Sequence, residues 1–334
     1  MTERNVQVLM KRHPAGMVTP DDFSIVEADL PKLQPGQALV RNRYLSLDPY
    51  MRPRMDPVRS YVDPLKPGDL MPGATVGEVI ESRADDLPKG TVVATALGWQ
   101  SHGVVTKAGV RVVDPALGSP SAALGVLGMT GVTAHYGLLA LAKPKPGETV
   151  VVTAASGAVG GIVGQIAKLK GCRVIGIAGG AEKCRYVVGD LGFDMCIDYR
   201  APDFAQQLAS ATPKYVDVLF ENVGGPILDA VLERINDHAR IALCGNISQY
   251  NATEPYGLKG LRHLLMHRVT VHGFIIADHR DYWPTALADL SGWLKDGKLK
   301  FKEDIADGLS DAPAAFIRML TGGNFGKQLV RIAS

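Results

Sequence analysis

The sequence predicts an α/β protein in which a doubly wound parallel sheet is joined to a smaller, partly open β-barrel. Three observations carry this. From about Gly147 onward, short apolar runs alternate with helical patterns, the rhythm of buried parallel strands and crossover helices. A cluster of small residues, "AASGAVGG" at 154–161, follows the first of those runs, where a strand-to-helix turn must be tight. Residues 1–115 instead carry short β-branched segments punctuated by Pro-Gly and Lys-Gly pairs. At 334 residues the chain is long enough for two cores.

In chain order, "QALVRNRYLSLD", "TVGEVIES" and "TVVATALGWQSHGVV" read as barrel strands, with breaks at Pro35-Gly36, Pro67-Gly68, Pro72-Gly73 and Lys89-Gly90. Between Asp114 and Lys143 there is no charged residue. Five glycines, His135 and several hydroxyls within it favour buried helices and turns at a domain junction over a membrane span. "TVVVTA", "CRVIGIA", "MCIDY", "VDVLFEN", "ARIALCG" and "VTVHGFII" are six strands of the sheet. Helical patterns fall at 158–170, 181–191, 203–211, 226–235 and 257–267, with another at 283–296. "GKQLVRIAS" closes the chain as a strand that rejoins the barrel.

Composition narrows the function. Basic and acidic residues number 36 and 34, for a net charge of +2, which offers no nucleic-acid surface. "MTERNVQVLMKRHPAG" lacks the apolar core of a signal peptide, so a cytoplasmic protein is expected, with no membrane partner. Cys172, Cys184, Cys196 and Cys244 form no CxxC pair and are expected to be buried small apolar residues in a reducing compartment. Asn246-Ile-Ser248 and Asn251-Ala-Thr253 match the glycosylation pattern, which a cytosolic protein does not use. No metal is expected. Residues 1–115 contain no cysteine, and His263 and His267, four apart in "HLLMH", lack both a third ligand and the Glu of a metalloprotease.

The glycine cluster points to an anion. A helix that starts there presents free N–H groups and the positive end of its dipole. The spacing is Ala155-x-Gly157-x-x-Gly160, with Ala in the first place of the dinucleotide fingerprint. The second strand ends Ala178-Gly179-Gly180 without the acid that an NAD site places on the ribose 2′-hydroxyl, and Lys183 and Arg185 follow, with Glu182 beside them. Those cations suit a 2′-phosphate, so NADPH is the expected cofactor.

Seven segments together resemble the zinc-free medium-chain dehydrogenase/reductases of the prostaglandin reductase, alkenal double-bond reductase and curcumin reductase branch. They are "SLDPYMRPRM", "LGMTGVTAHYGL", "AASGAVGGIVGQIAKLKGCRVIG", "AEKCRY", "FENVGG", "CGNISQYN" and "GNFGK". The resemblance implies a GroES-like β-barrel domain (1–124 and 303–334) and a Rossmann NADPH-binding domain (125–302). It places the active site in the cleft between them and implies a homodimer. Carried over by position, the cofactor contacts are Ala158, Val159, Gly160 and Gly161, then Lys183 and Tyr199 at the 2′-phosphate, and Asn222. Cys244, Gly245, Asn246, Ile247, Ser248 and Tyr250 follow the nicotinamide half with Phe274, Ile275 and Ile276, and Asn324 lies near it. Met129 falls at the substrate pocket. Gly180 replaces a common Ser, Thr130 and His135 replace a common Pro and Tyr, and the Ala277-Asp278-His279 segment departs from the pattern.

Without a metal to polarise a carbonyl, conjugate reduction is the natural chemistry: hydride reaches the β-carbon of an enone or enal, and a hydrogen-bond donor stabilises the enolate oxygen. Tyr250 and Tyr256, in the loop after the fifth strand, are the favoured donors to the ribose and enolate, with Tyr50 as pocket wall and further candidate. Tyr61 lies in a Pro- and Gly-rich segment bordering the pocket. Arg52 and Arg54 either attract an anionic substrate or are solvated loop residues, and Trp99 is core or pocket lining. The expected function is NADPH-dependent reduction of α,β-unsaturated aldehydes or ketones, a small-molecule substrate class. An NADPH:quinone oxidoreductase and a non-catalytic NADPH-binding protein are the alternatives.

Overall fold

A computed structural model describes residues 3–332, which fall into two compact units. One takes in the chain up to Gly125 and again from Glu303 onward; the other runs from Val126 to Lys302.

The first unit opens with β1 (Asn5–Met10) and β2 (Phe23–Ala28), an antiparallel pair. Its spine is β3 (Ala38–Ser46), flanked on one side by β4 (Thr75–Ser82) and on the other, along its first half, by β6 (His102–Val105). Register shifts at Leu39/Val40 and Asn42/Tyr44 bend β3, as bulges do, and curl the sheet. The stretch read as one strand, "TVVATALGWQSHGVV", is two: β5 (Val92–Thr95), which also pairs with β7 (Arg111–Val112), and β6. Gly98 forces the break. Its φ is +76°, and a Cβ there would stand 2.7 Å from the Met71 carbonyl.

The charge-free stretch turns out as short buried helices. α1 (Met129–His135) widens into a looser helical turn over Tyr136–Ala142. No helix of the described residues is long and apolar enough to cross a membrane.

Next come β8 (Thr149–Thr153), α2 (Gly160–Leu169), β9 (Arg173–Ala178), α3 (Ala181–Gly189), β10 (Met195–Asp198) and α4 (Phe204–Ala211). They are followed by β11 (Val216–Glu221), α5 (Gly225–Leu232), β12 (Ile235–Leu243), α6 (Leu261–Met266), β13 (Thr270–Gly273) and α7 (Trp283–Lys295). All six strands are parallel, in the order β10-β9-β8-β11-β12-β13. Every residue of β8 is buried, because both faces of the sheet are covered, and such strands read as unbroken apolar runs. The order reverses direction between β8 and β11, and ligands of open parallel sheets bind outside the strand ends at that point. α6 is shorter than the 257–267 pattern predicts; Gly260, whose N–H is held by Asp229 Oδ1 at 2.7 Å, sets its start.

The chain ends back in the first unit with β14 (Glu303–Asp307), α8 (Ala312–Leu320) and β15 (Lys327–Arg331). β15 lies antiparallel on the second half of β3 and parallel to β14. β14 and α8 were not anticipated, although α8 buries Ala312, Ala315, Phe316, Met319 and Leu320 at helical spacing. Phe316 meets Trp99 edge-on at 5.6 Å, and Trp99 stacks on Phe23 at the same distance. This aromatic cluster anchors the unit's core, each pair adding about 0.5–1.5 kcal/mol beyond burial.

Candidate cofactor and active site

At the switch point β8 gives way to Ala154, held at φ +50°, and the turn reaches α2 at Gly160. A Cβ on Gly160 would stand 2.4 Å from the Ala154 carbonyl, and one on Gly164 would stand 1.8 Å from the Phe193 ring. Glycine is required at both. The alanine in the fingerprint's first position is explained by the neighbouring strand: a Cβ on Gly176 would stand 2.8 Å from the Ala155 methyl, so the space is yielded by β9 instead. The result brings the backbone of 158–161 to a helix N-terminus, whose first N–H groups have no partner within the helix.

The end of β9 forms a second corner. Gly180, at φ +96°, has only Arg200 Nη1 near its missing Cβ, at 3.9 Å, whereas a Cβ on Gly179 would stand 2.8 Å from the Tyr199 ring. The Arg200 guanidinium sits 5.6 Å from the centre of that ring. Asp198, at the end of β10, accepts from the amides of Gly180 (2.9 Å) and Arg200 (3.0 Å). The Gly180 amide foremost holds its carboxyl below the usual range. This acid therefore faces backbone, and Gly179, Gly180, Tyr199 and Arg200 are gathered at one corner, with Lys183 three residues beyond Gly180 in α3. Arg200 escaped the sequence reading, although it directly follows Tyr199.

A third element was also missed. Glu221, fully buried at the end of β11, accepts from the amides of Val223 (2.5 Å) and Gly224 (2.7 Å) and from the Thr153 hydroxyl (3.2 Å), while its Oε2 has no partner. Burial pushes its carboxyl up, against those hydrogen bonds. Asn222 binds β8 twice, its amide donating to Thr153 Oγ1 and its side chain to Thr153 O, both at 2.8 Å. Gly224, at φ +74°, admits the Asn246 side chain, whose Oδ1 a Cβ would meet at 1.7 Å. The loops after β11 and β12 are thus clamped together behind the switch point. Burial, with Glu221 beside it, pushes the Cys244 thiol up to about 12.

The two favoured tyrosines share a loop but turn apart. The Tyr250 hydroxyl accepts from the Asn246 amide at 3.2 Å, and a Cβ on Gly245 would lie 3.5 Å from it. Burial raises its pKa. The Tyr256 hydroxyl donates to Asp229 Oδ2 at 2.8 Å, and that carboxylate also takes the amides of Lys259 and Gly260. Phe274 packs edge-on against Phe220 at 6.4 Å. Gly137 is glycine because a Cβ would stand 2.7 Å from both rings. Ile275 and Ile276 follow, the latter buried.

The departures from the family pattern find each other. His135 is buried, stacks on Trp293 at 5.6 Å, and contacts Asp289 Oδ2 and the Tyr282 hydroxyl, each at 3.0 Å. Burial lowers its pKa, so the ring is neutral. Asp289 can only accept, which puts the proton on Nε2 and leaves Nδ1 to accept from Tyr282. Tyr136 stacks on His279 at 4.3 Å. The histidine at 135 and the 277–283 segment are one packing solution.

Residues predicted in the first unit have definite places. Trp99 is fully buried in the core, with its Nε1 unpartnered. Arg52 is neither a solvated loop arginine nor an exposed anion lure: it is 2% exposed and bound to Asp56 (2.7 Å) and the Gly16 carbonyl (2.8 Å). Tyr50 packs on the core, where burial raises its pKa, Tyr61 is exposed, and Asn324 donates to the Gly326 carbonyl at 2.9 Å. Met129 opens α1. Among the described residues no three His, Cys, Asp or Glu side chains gather as metal ligands. The His263 and His267 rings lie parallel 6.1 Å apart, and His267 turns to Asp237 at 2.7 Å.

A parallel sheet that reverses its strand order at a glycine turn is the architecture of a dinucleotide-binding domain. The comparisons place it further. Residues 6–113 match the N-terminal domain of oxidoreductase, and residues 158–292 match zinc-binding dehydrogenase; among the described residues the donors for zinc do not gather. The NADPH-dependent curcumin reductase of Escherichia coli (strain K12) is 46% identical over 337 residues, 99% of this chain and 98% of that protein. The 2-alkenal reductase (NADP(+)-dependent) of Nicotiana tabacum is 38% identical over 98% of each chain. The crystal structure of CurA in complex with NADPH from Vibrio vulnificus superimposes with a TM-score of 0.94 at 45% identity, over 98% of this chain and 99% of that one. The chain belongs to the medium-chain dehydrogenase/reductase family, in the branch of these reductases.

Proposed function

We propose that this protein reduces the C=C bond of α,β-unsaturated aldehydes and ketones with NADPH. The observation that carries the cofactor choice is the corner at Gly179-Gly180. There Tyr199 and Arg200 flank Gly179-Gly180, Lys183 stands three residues on in the first turn of α3, and the acid of β10 is turned onto amides. A 2′-phosphate accepts charge-assisted hydrogen bonds from such a corner. The turn 158–161 at the α2 N-terminus holds the pyrophosphate. Asn222, Tyr250, the 244–248 loop and Phe274 to Ile276 line the nicotinamide side, and Asn324 is a further candidate contact.

Bound NADPH supplies the hydride that the β-carbon receives. The chain's part is to place the acceptor and to stabilise the charge left on the carbonyl oxygen. Tyr250 is the donor in this reading: its hydroxyl accepts from the Asn246 amide and so keeps its own proton free to give. Its raised pKa keeps that proton in place at neutral pH. Tyr256 acts through its bond to Asp229, fixing the loop that carries Tyr250. Tyr50, Tyr61 and Met129 belong to the substrate side. A cytoplasmic homodimer is part of the proposal; the free edge of β13 and the exposed Leu261 and Leu265 of α6 support the second copy.

The test is oxidation of NADPH followed with a panel of enals, enones, quinones and saturated ketones. Turnover of enals and enones is expected, with saturated ketones inert. Turnover confined to quinones, or none at all, would overturn the assignment.

A further inference from the structure

The cysteines depart from the sequence expectation. Cys172 is buried, but Cys184 and Cys196 are only half-buried, and their sulfurs lie 3.1 Å apart. Cys184 belongs to α3 and Cys196 to β10, the edge strand of the sheet, so the pair lies where solvent reaches the sheet. A covalent S–S bond is about 2.05 Å long, so closure requires an approach of only about 1 Å.

The two thiols are not equivalent. Cys196 donates to Cys184, and that bond favours the thiolate at Cys184 and the thiol at Cys196. Cys184 also lies near the N-terminus of α3, where the dipole favours an anion, although Asp198 opposes it. One sulfur is thus placed as nucleophile and the other as its resolving partner.

Their neighbours give the pair a consequence. Lys183 immediately precedes Cys184, while Tyr199 and Arg200 follow Cys196 on the segment leaving β10. A bond between them ties together the two segments that flank Gly179-Gly180. We propose that Cys184 and Cys196 are a redox-sensitive pair, oxidised by hydroperoxides to a reversible disulfide that weakens NADPH binding. The cofactor part rests on the reading of this corner as the 2′-phosphate site. In the first step the Cys184 thiolate attacks a peroxide oxygen, giving a sulfenic acid and hydroxide or alkoxide, which takes up a proton. In the second the Cys196 sulfur, losing its proton, attacks the Cys184 sulfur and expels water. Two thiols and one hydrogen peroxide become one disulfide and two waters; a dithiol reverses the change. Drawing α3 toward β10 shifts Lys183 relative to Tyr199 and Arg200, and a charge-assisted hydrogen bond tuned to about 2.8 Å is lost over such a movement.

The experiment treats the reduced full-length protein with hydrogen peroxide and reads intact mass, linked peptides and cofactor KM. The expected result is loss of two hydrogens per chain, a peptide joining Cys184 to Cys196, and recovery with dithiothreitol. The oxidised form should show a KM for NADPH raised about tenfold, as for one lost charge-assisted bond, with kcat at saturation and the KM for NADH little changed. Cys196→Ser should stop at a sulfenic acid on residue 184 that dimedone traps, and Cys184→Ser should give neither product. Thiols that both stay free overturn the proposal. So does a disulfide that leaves NADPH binding as it was, or weakens NADPH and NADH alike. Lys183→Ala in the reduced protein tests the 2′-phosphate reading separately, since disulfide formation is read by mass without cofactor.

Discussion

Replacing Glu221 by leucine removes the acceptor at the base of the candidate site. The amides of Val223 and Gly224 and the Thr153 hydroxyl all end on Oε1. A buried donor left unmade costs about 1–3 kcal/mol, so the two amides alone predict a loss of about 2–6 kcal/mol in urea unfolding. Glutamine keeps an oxygen in that place and gives up only the charged character, so Glu221→Gln should stay within about 1–2 kcal/mol of wild type. The pH dependence follows from the same burial. The folded protein holds this carboxyl above its ordinary range, so its stabilisation is complete below the ordinary glutamate pKa and is lost as pH rises through the folded value. The stability of wild type relative to Glu221→Gln should therefore fall with rising pH. Cofactor titration of the leucine variant should show weaker binding, because Asn222 and Asn246 are set by the same clamp. A leucine variant as stable as wild type, with unchanged cofactor affinity, would refute the clamp.

Lys183→Ala should weaken NADPH by about 10- to 100-fold, the worth of one charge-assisted hydrogen bond, and leave NADH nearly unchanged in fluorescence titrations. Tyr250→Phe should lower kcat with an enone by on the order of a hundredfold while moving the KM for NADPH little. Tyr256→Phe should cost less, since its hydroxyl is spent on Asp229, and equal losses in steady-state kinetics would refute the division of labour. In the first unit, Lys327 and Asp48 form a buried ion pair at 2.5 Å, each side chain 4% exposed. Lys327→Met should cost about 3–5 kcal/mol in thermal or urea unfolding by stranding the carboxylate, and a loss below 1 kcal/mol would refute that the pair is desolvated.

The Rossmann half was legible because its strands are buried on both faces and its turns carry glycine, so apolar runs and small-residue clusters mark them directly. Where backbone meets backbone, the sequence speaks: Gly160 beside the Ala154 carbonyl is one such place. What it hid depends on distant partners. Glu221 sits inside a recognisable motif, but its role is set by Thr153, 68 residues earlier. Arg52 looks like any loop arginine until the Gly16 carbonyl and burial are known. Cys184 and Cys196 are 12 residues apart with no motif between them, and only the packing of α3 on the edge strand brings them together. α8 is a different case, since the helical spacing of Ala312, Ala315, Phe316, Met319 and Leu320 is in the sequence and depends on no distant partner.

Hydride delivery to the β-carbon is the centre of this account, and the most direct measurement is the position of the label after turnover with NADPH deuterated at C4. With an enone substrate, the expected product is a saturated ketone carrying deuterium on the β-carbon and a solvent hydrogen on the α-carbon, the carbonyl intact. An allylic alcohol with deuterium on the former carbonyl carbon would contradict it.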